Sequence, residues 1–286
     1  MSPEENTEES LTRKQRREQA RTERKATEEA EASAAARRRR LMQLGGVLVA
    51  VVVIIVVIVV ATGGKGSGKA TTVPKTAAAK SEQTHVVTSL LNGVPQEGMV
   101  LGKPNAAATL VYFGDLECPI CQEFTLEALP GLIANMVRSG KLRIEYKSLS
   151  TATGTAESDG AEPSGTFTSQ QIGAYAAGKQ NLAWYYIELF YHEQGAEDSG
   201  YVNEAFVQSI AQQVPGMNLT QWQADRGDNA LETKVIEEER EASQIGFTGT
   251  PSFMLGKTGG TLKPIEPSSL KESSVFESEV NKVLAS

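Results

Sequence analysis

Hydrophobic and polar positions follow a different rhythm in each stretch of this chain. Residues 1–40 mix Ala, Glu, Arg, Gln and Lys with no apolar stripe, no Gly, and Pro only at position 3. A segment with nothing to bury reads as a solvated, charged tail, partly helical from Leu11 onward. The pattern then inverts. Leu41 to Thr62 carries no charge, and Val47 to Ala61 is unbroken Val, Ile, Leu and Ala. A helix needs roughly 20 apolar residues to cross a bilayer, so residues 41–62 are expected to be a transmembrane helix. A buried core helix is the competing reading, but no comparable apolar stretch exists elsewhere for it to pack against. Residues 63–83, rich in Gly, Ser, Thr, Ala and Lys, read as a flexible linker. Gly63 to Lys69 imitates a phosphate-binding loop, yet Ala70 stands where Ser or Thr must hold magnesium.

From residue 84 to 286 the periodicities are those of a globular domain. Ala107–Gly114 is a short apolar run rich in strand formers. From Pro119 to Val137, Ile120, Phe124, Leu129, Ile133, Met136 and Val137 recur at helical spacing, with Pro130 predicting a kink. Residues 142–150 alternate as a second strand, and the Gly/Ser-rich residues 151–169 read as a loop. Residues 170–245 divide into several helices, carrying Trp184 and Phe190, then Phe206 and Ile210, then Leu231 and Val235. Residues 250–255 return to strand, residues 261–265 can pair with it, and residues 267–284 close as a helix. Strand, helix, strand, helical block, two strands and a helix make one α/β domain with a helical insertion at about 170–245.

Charge orients the chain and removes one class of partner. The 286 residues carry a net charge of −7. Residues 1–40 hold 11 Lys/Arg and 9 Asp/Glu, and the rest 17 against 26, a net of −9. An acidic body does not suit nucleic acid. Arg37 to Arg40 abut the apolar segment, and basic residues stay on the cytoplasmic side. The amino terminus is therefore expected inside, and everything after Thr62 outside, as a single-pass membrane protein. Val59-Val60-Ala61 could serve as a signal-peptide cleavage site, but 40 preceding residues are too many for one, so an uncleaved anchor is the expectation.

Candidate chemistry centres on Cys118 and Cys121, the only cysteines, in "FGDLECPICQEF". A structural zinc needs four ligands, and the two histidines, His85 and His192, lack the spacing to help. As a structural staple the pair would close a loop too small to constrain the unfolded chain much. Redox chemistry fits better. At the amino end of a helix Cys118 would face unpaired N–H groups and the positive end of the helix dipole, which favour its thiolate. Pro119 suits the first turn, where its missing N–H costs nothing. Cys121, one turn on, could attack a mixed disulfide on Cys118. Thr250-Pro251, far along the chain in "GFTGTPSF", read alone is a turn before a strand.

Together, "LVYFGDLECPICQEF", "NLAWYYIELFYHEQG" and "ASQIGFTGTPSFMLG" resemble the DsbA-like thiol–disulfide oxidoreductases of the thioredoxin superfamily, particularly membrane-anchored bacterial forms. The resemblance runs from about Met99 to Leu284. It implies a thioredoxin fold whose helical insertion covers the active site and helps form a substrate groove. By resemblance Cys118 is the exposed nucleophile, Cys121 the buried resolving thiol, and Pro251 a cis-proline facing them. The backbone of Thr250 would pair with a bound substrate strand, beside Pro119 and Ile120. The resemblance implies no cofactor and no metal, reduced secreted or cell-surface proteins as substrates, and a membrane reoxidase of the DsbB or VKOR-like type.

One departure stands out. The best-known oxidases carry His where this chain has Ile120, and isoleucine cannot support a thiolate, so Cys118 is expected to be less acidic. Glu117 would push the same way by like-charge repulsion. Asp115 and Glu117 are candidates for proton transfer, with solvated loop acids as the plainer reading. The expected activity is extracytoplasmic thiol oxidation. A tethered reductase or isomerase, and a non-catalytic binding module, are the competing readings.

Overall fold

The structure, a computed structural model, describes residues 77–153, 165–197 and 199–286. The expected tail, membrane span and most of the linker lie outside them. Among the described residues no helix is long and apolar enough to cross a membrane.

The chain enters with helix α1, Ala77–Leu91. Its first seven residues were expected in the linker. They are helical because Ala and Lys are good helix formers, and because the helix buries Val87 and Leu91 in the core. Arg138 then grips its last turn, donating to the carbonyls of Leu90 and Asn92 at 2.8 and 3.0 Å.

Two short strands follow, β1 (Gln96–Glu97) and β2 (Val100–Leu101), then β3 (Ala108–Gly114). The redox segment is helix α2 (Pro119–Glu127), a short helix α3 (Leu129–Leu132) and a π-helical turn at Ile133–Val137. Strand β4 is Leu142–Ser148. The helical block runs through α4 (Gly165–Gly178), α5 (Ala183–His192), α6 (Glu204–Gln213), α7 (Leu219–Asp225) and α8 (Asn229–Ile245). Its first turn, at residues 165–169, falls in the stretch expected as loop. Strands β5 (Ser252–Lys257) and β6 (Lys263–Ile265) and helix α9 (Ser273–Ala285) end the chain.

These strands form a mixed six-stranded sheet in the order β1-β2-β4-β3-β5-β6. Only β3 and β4 are parallel. β3 lies centrally with all seven residues buried, which is why it reads as a continuous apolar run. One sheet face, with Leu110, Tyr112, Ile144, Tyr146, Phe253 and Leu255, joins the main core with α2, α5 and α9. Val111 and Phe113 point the other way and pack with Ala242 and Ile245 of α8.

The expected kink is an interruption. A proline at position 130 cannot donate to the carbonyl four residues back, and α2 stops before Ala128. The chain then underwinds into a wider turn through bonds from Arg138 N to Ile133 O and Lys141 N to Met136 O, each 3.0 Å. Four aromatic rings seat α2 on the sheet. Phe124 lies 4.9 Å from Phe253 and 5.0 Å from both Tyr112 and Phe276, centroid to centroid.

Candidate active site

Strand β3 ends at Gly114, and three residues later the chain turns into α2. Cys118 is the N-cap, with φ −69° and ψ 120°, and Pro119 is the first helical residue. Cys118 N donates to Asp115 O at 3.1 Å, and Gln122 N to Cys118 O at 3.1 Å, which closes the first turn. The cysteines are free thiols. The amides of Ile120 and Cys121 point at the Cys118 sulfur, as the start of a helix requires.

The resemblance implied an exposed nucleophile. Instead Cys118 is only 6% exposed, and Cys121 is fully buried. The cause is the loop before β5, which lies over the sulfur: Cys118 Sγ donates to the Thr250 carbonyl at 3.4 Å. The Thr250–Pro251 peptide is cis. The Thr250 backbone therefore meets the nucleophile itself in this structure. What the surface presents beside the sulfur is Pro119 and Ile120, the latter 44% exposed.

The two sulfurs differ sharply in acidity. Cys118 is lowered from 9.0 to about 6, chiefly by a hydrogen bond from the Cys121 thiol, with help from the Thr250 side chain and the helix amides and against the cost of burial. Burial, followed by the contact with Cys118, pushes Cys121 well up. The groups that set Cys118 are thus Cys121, Thr250 and the α2 amides rather than the charge of Glu117. A charge at position 120 should still add to them. Ile120→His is expected to move the Cys118 alkylation inflection roughly one pH unit below about 6 through the imidazolium charge. An unmoved pH profile of iodoacetamide reactivity would contradict that.

Asp115 and Glu117 are not solvated loop acids: Asp115 is fully buried and Glu117 5% exposed. Both Asp115 oxygens are occupied. Oδ2 accepts from the amides of Thr151, Ala152 and Thr153, and Oδ1 from the amide of Glu117 and the hydroxyl of Thr153, at 2.6 to 3.0 Å. This carboxylate is a knot tying the loop after β4 to the loop before α2. Two carboxylates of α8 continue the tie. Glu238 accepts from Ser148 N and Oγ at 2.8 and 2.9 Å, and Glu239 accepts from Ser150 N. Thr151 Oγ1 in turn bonds Thr250 Oγ1.

The helical block reaches the site through hydrogen bonds to backbone. Gln194 Nε2 donates to Leu116 O and Cys118 O at 2.7 and 3.2 Å, and Tyr191 OH donates to Asp115 O at 3.1 Å. No local signal marked Gln194, Tyr191 or Thr151 as site residues, because each acts across a long sequence separation. The block does not line the cleft beside Pro251. That cleft, of about 350 Å³, is walled by residues 246–249 and 251–253 on one side and Pro264, Ile265, Pro267 and Leu270 on the other. The two sides meet there because β5 and β6 pair directly.

A family model described as Thioredoxin matches residues 95–272. The "Probable disulfide bond formation protein D" of Bacillus anthracis is 23% identical over 174 residues, 60% of this chain and 75% of that protein. The protein of the same description from Bacillus cereus is 23% identical over 53% of this chain and 67% of its own length. Among solved structures, oxidised BdbD from Bacillus subtilis superimposes with a TM-score of 0.55 at 15% identity, covering 68% of this chain and 98% of that one. Wolbachia pipientis alpha-DsbA1 gives 0.52 at 15% identity, over 70% and 96%. The Thioredoxin match spans more than half of the chain, from just before β1 to the residue before α9, and by that extent the chain belongs to the thioredoxin family, where its relatives are DsbA-like disulfide oxidoreductases.

Proposed function

We propose that this protein is a membrane-tethered thiol oxidase that introduces disulfides into secreted or cell-surface proteins. A substrate thiolate attacks the Cys118–Cys121 disulfide at Cys118, and a second substrate thiolate displaces Cys118 from the mixed disulfide. The apolar segment 41–62 would anchor the chain with residues 1–40 in the cytoplasm and the α/β domain outside, where disulfides persist. A membrane reoxidase of the DsbB or VKOR-like type would return the pair to its disulfide.

The observation that carries this reading is the placement of Cys118 at the N-cap of α2 against the cis Thr250–Pro251 peptide, with Cys121 buried one turn on, a setting that lowers Cys118 to about 6. A stabilised thiolate is a stabilised reduced form, which makes the disulfide the stronger oxidant, and it makes Cys118 a fast leaving group. Burial of Cys121 keeps the second sulfur from competing for substrate.

In Cys121→Ala no second thiol can displace Cys118, so mixed disulfides that Cys118 forms by exchange with disulfide-bonded extracytoplasmic proteins should persist in cells and appear as adducts on non-reducing gels. The wild-type chain, equilibrated with glutathione, should have a reduction potential well above the roughly −270 mV of thioredoxin. A value near thioredoxin's would turn the reading to a tethered reductase, which passes through the same Cys118 mixed disulfide.

A further inference from the structure

The end of helix α5 is fastened to the segment between Gly114 and Pro119 by donors that all reach backbone carbonyls. Tyr191 OH donates to Asp115 O at 3.1 Å and lies 2.8 Å from the Tyr112 hydroxyl. Gln194 Nε2 donates to Leu116 O at 2.7 Å and to Cys118 O at 3.2 Å. Gln122 of α2 answers with a bond from its own Nε2 to Tyr191 O at 2.7 Å. Gln194 is 2% exposed. Its amide nitrogen carries two hydrogens, one for each carbonyl, and the two acceptors fix which end of the amide faces the loop.

The residues beside Gln194 hold it in place. Glu193 is fully buried, with the Lys80 ammonium of α1 3.5 Å from its carboxylate. A Cβ on Gly195 would lie 2.7 Å from the Tyr201 ring, so glycine is needed for that ring to pack on the chain.

We propose that Gln194 is a positioning residue for the redox reaction, whose amide holds the Cys118 carbonyl and so keeps the Cys118 sulfur at the amino end of α2. This rests on the oxidase reading only in taking Cys118 as the sulfur that substrates attack, and it holds for either direction of electron flow. The redox helix begins at the Cys118 carbonyl, which accepts from Gln122 N at 3.1 Å, and no side chain caps that helix start. The direction of the carbonyl sets ψ of Cys118, and ψ sets where the following amides lie relative to the Cys118 side chain. Pro119 contributes no N–H, so the sulfur depends on amides further along the turn. Helix ends fray, and a second donor on the same carbonyl opposes that rotation. The bond to Leu116 O anchors the amide from upstream, so the loop and the helix start are held by one side chain.

The test is Gln194→Met in the full chain, which keeps the length and the neutral charge and removes both donors. The pH profile of iodoacetamide reactivity should show the Cys118 inflection raised by about one unit, the size of one hydrogen bond. At pH 7 the equilibrium constant for oxidation of glutathione by the protein's disulfide should fall about fivefold with it. Val207→Ala opens a cavity in α6 of the same helical block, and should leave the inflection at its wild-type value. An inflection moved equally by Val207→Ala would mean general loosening and overturn the role of Gln194, as would an unmoved inflection in Gln194→Met. Gln194→Asn decides if the Met variant does not fold. It keeps the amide but is one methylene too short to span both carbonyls, so its inflection should also rise, and an unmoved one would overturn the role. A wild-type inflection near the ordinary 9.0 would instead overturn the stabilised thiolate of the oxidase reading, and the role of Gln194 with it.

Discussion

Asp115→Ala is expected to destabilise the protein by about 4 kcal/mol, at the upper end of what single substitutions do. Removing the carboxylate leaves four backbone amides and one hydroxyl without their acceptor in a fully buried site. One such orphaned donor costs about 1–3 kcal/mol, and entry of water tempers the sum. Asp115→Asn should also destabilise, because half of the new side chain presents N–H to amides already pointing inward. The redox centre should respond too. Thr151, held through Asp115, is bonded to Thr250, whose side chain and carbonyl meet the Cys118 sulfur. The Cys118 inflection should therefore rise from about 6 toward that of an ordinary thiol. Urea unfolding and iodoacetamide titration of the same variant check both effects. A midpoint within error of wild type would mean that Asp115 is not the tie between these loops.

The second large effect is a pH dependence confined to the reduced protein. Cys118 titrates lower in the folded protein than its ordinary 9.0, so folding favours its thiolate. The stabilisation is complete above pH 9 and is lost as pH falls through about 6. Across that window it amounts to on the order of 4 kcal/mol. In the disulfide form the two sulfurs do not titrate, and groups common to both forms, such as Glu188 and Glu239, cancel in the comparison, so it serves as the reference. The stability difference between reduced and oxidised protein should thus move in favour of the reduced form from pH 5 to pH 9. Cys121, whose thiol is favoured by burial, adds the opposite trend only above pH 9. The reduction potential should show the same break. Reduction takes up two protons below about pH 6 and one above it. Its slope should fall from about 59 to about 30 mV per pH unit there. A single slope through pH 6 would mean that Cys118 is not a thiolate at neutral pH.

What was legible in the chain beforehand was what local pattern can encode. The unbroken apolar run of β3 marks a strand buried on both faces, and the alternation of β4 follows its half-buried pattern. Pro130 breaks the redox helix because its missing N–H acts within one turn. The β1–β2 hairpin went unseen since two-residue strands carry no period. Helix α1 was mistaken in part for linker because its Ala, Ser and Thr content resembles that of a flexible segment. Within the site, the cysteines and the Thr-Pro pair were visible by spacing and resemblance. The function of Asp115 was not, since its partners lie 36 to 38 positions away. Tyr112 and Tyr191 are 79 positions apart and read as ordinary core aromatics.

The reactive sulfur depends on residues that emerge late during synthesis. Thr250 follows Cys118 by 132 positions, and Phe276, which closes the aromatic seat of α2, comes later still. A nascent chain lacking them has neither the Thr250 contact that helps lower Cys118 nor the aromatic seat that fixes α2 beneath it. Its reactivity switches on with completed folding, so a half-made copy is a poor oxidant of its neighbours and a poor target for them.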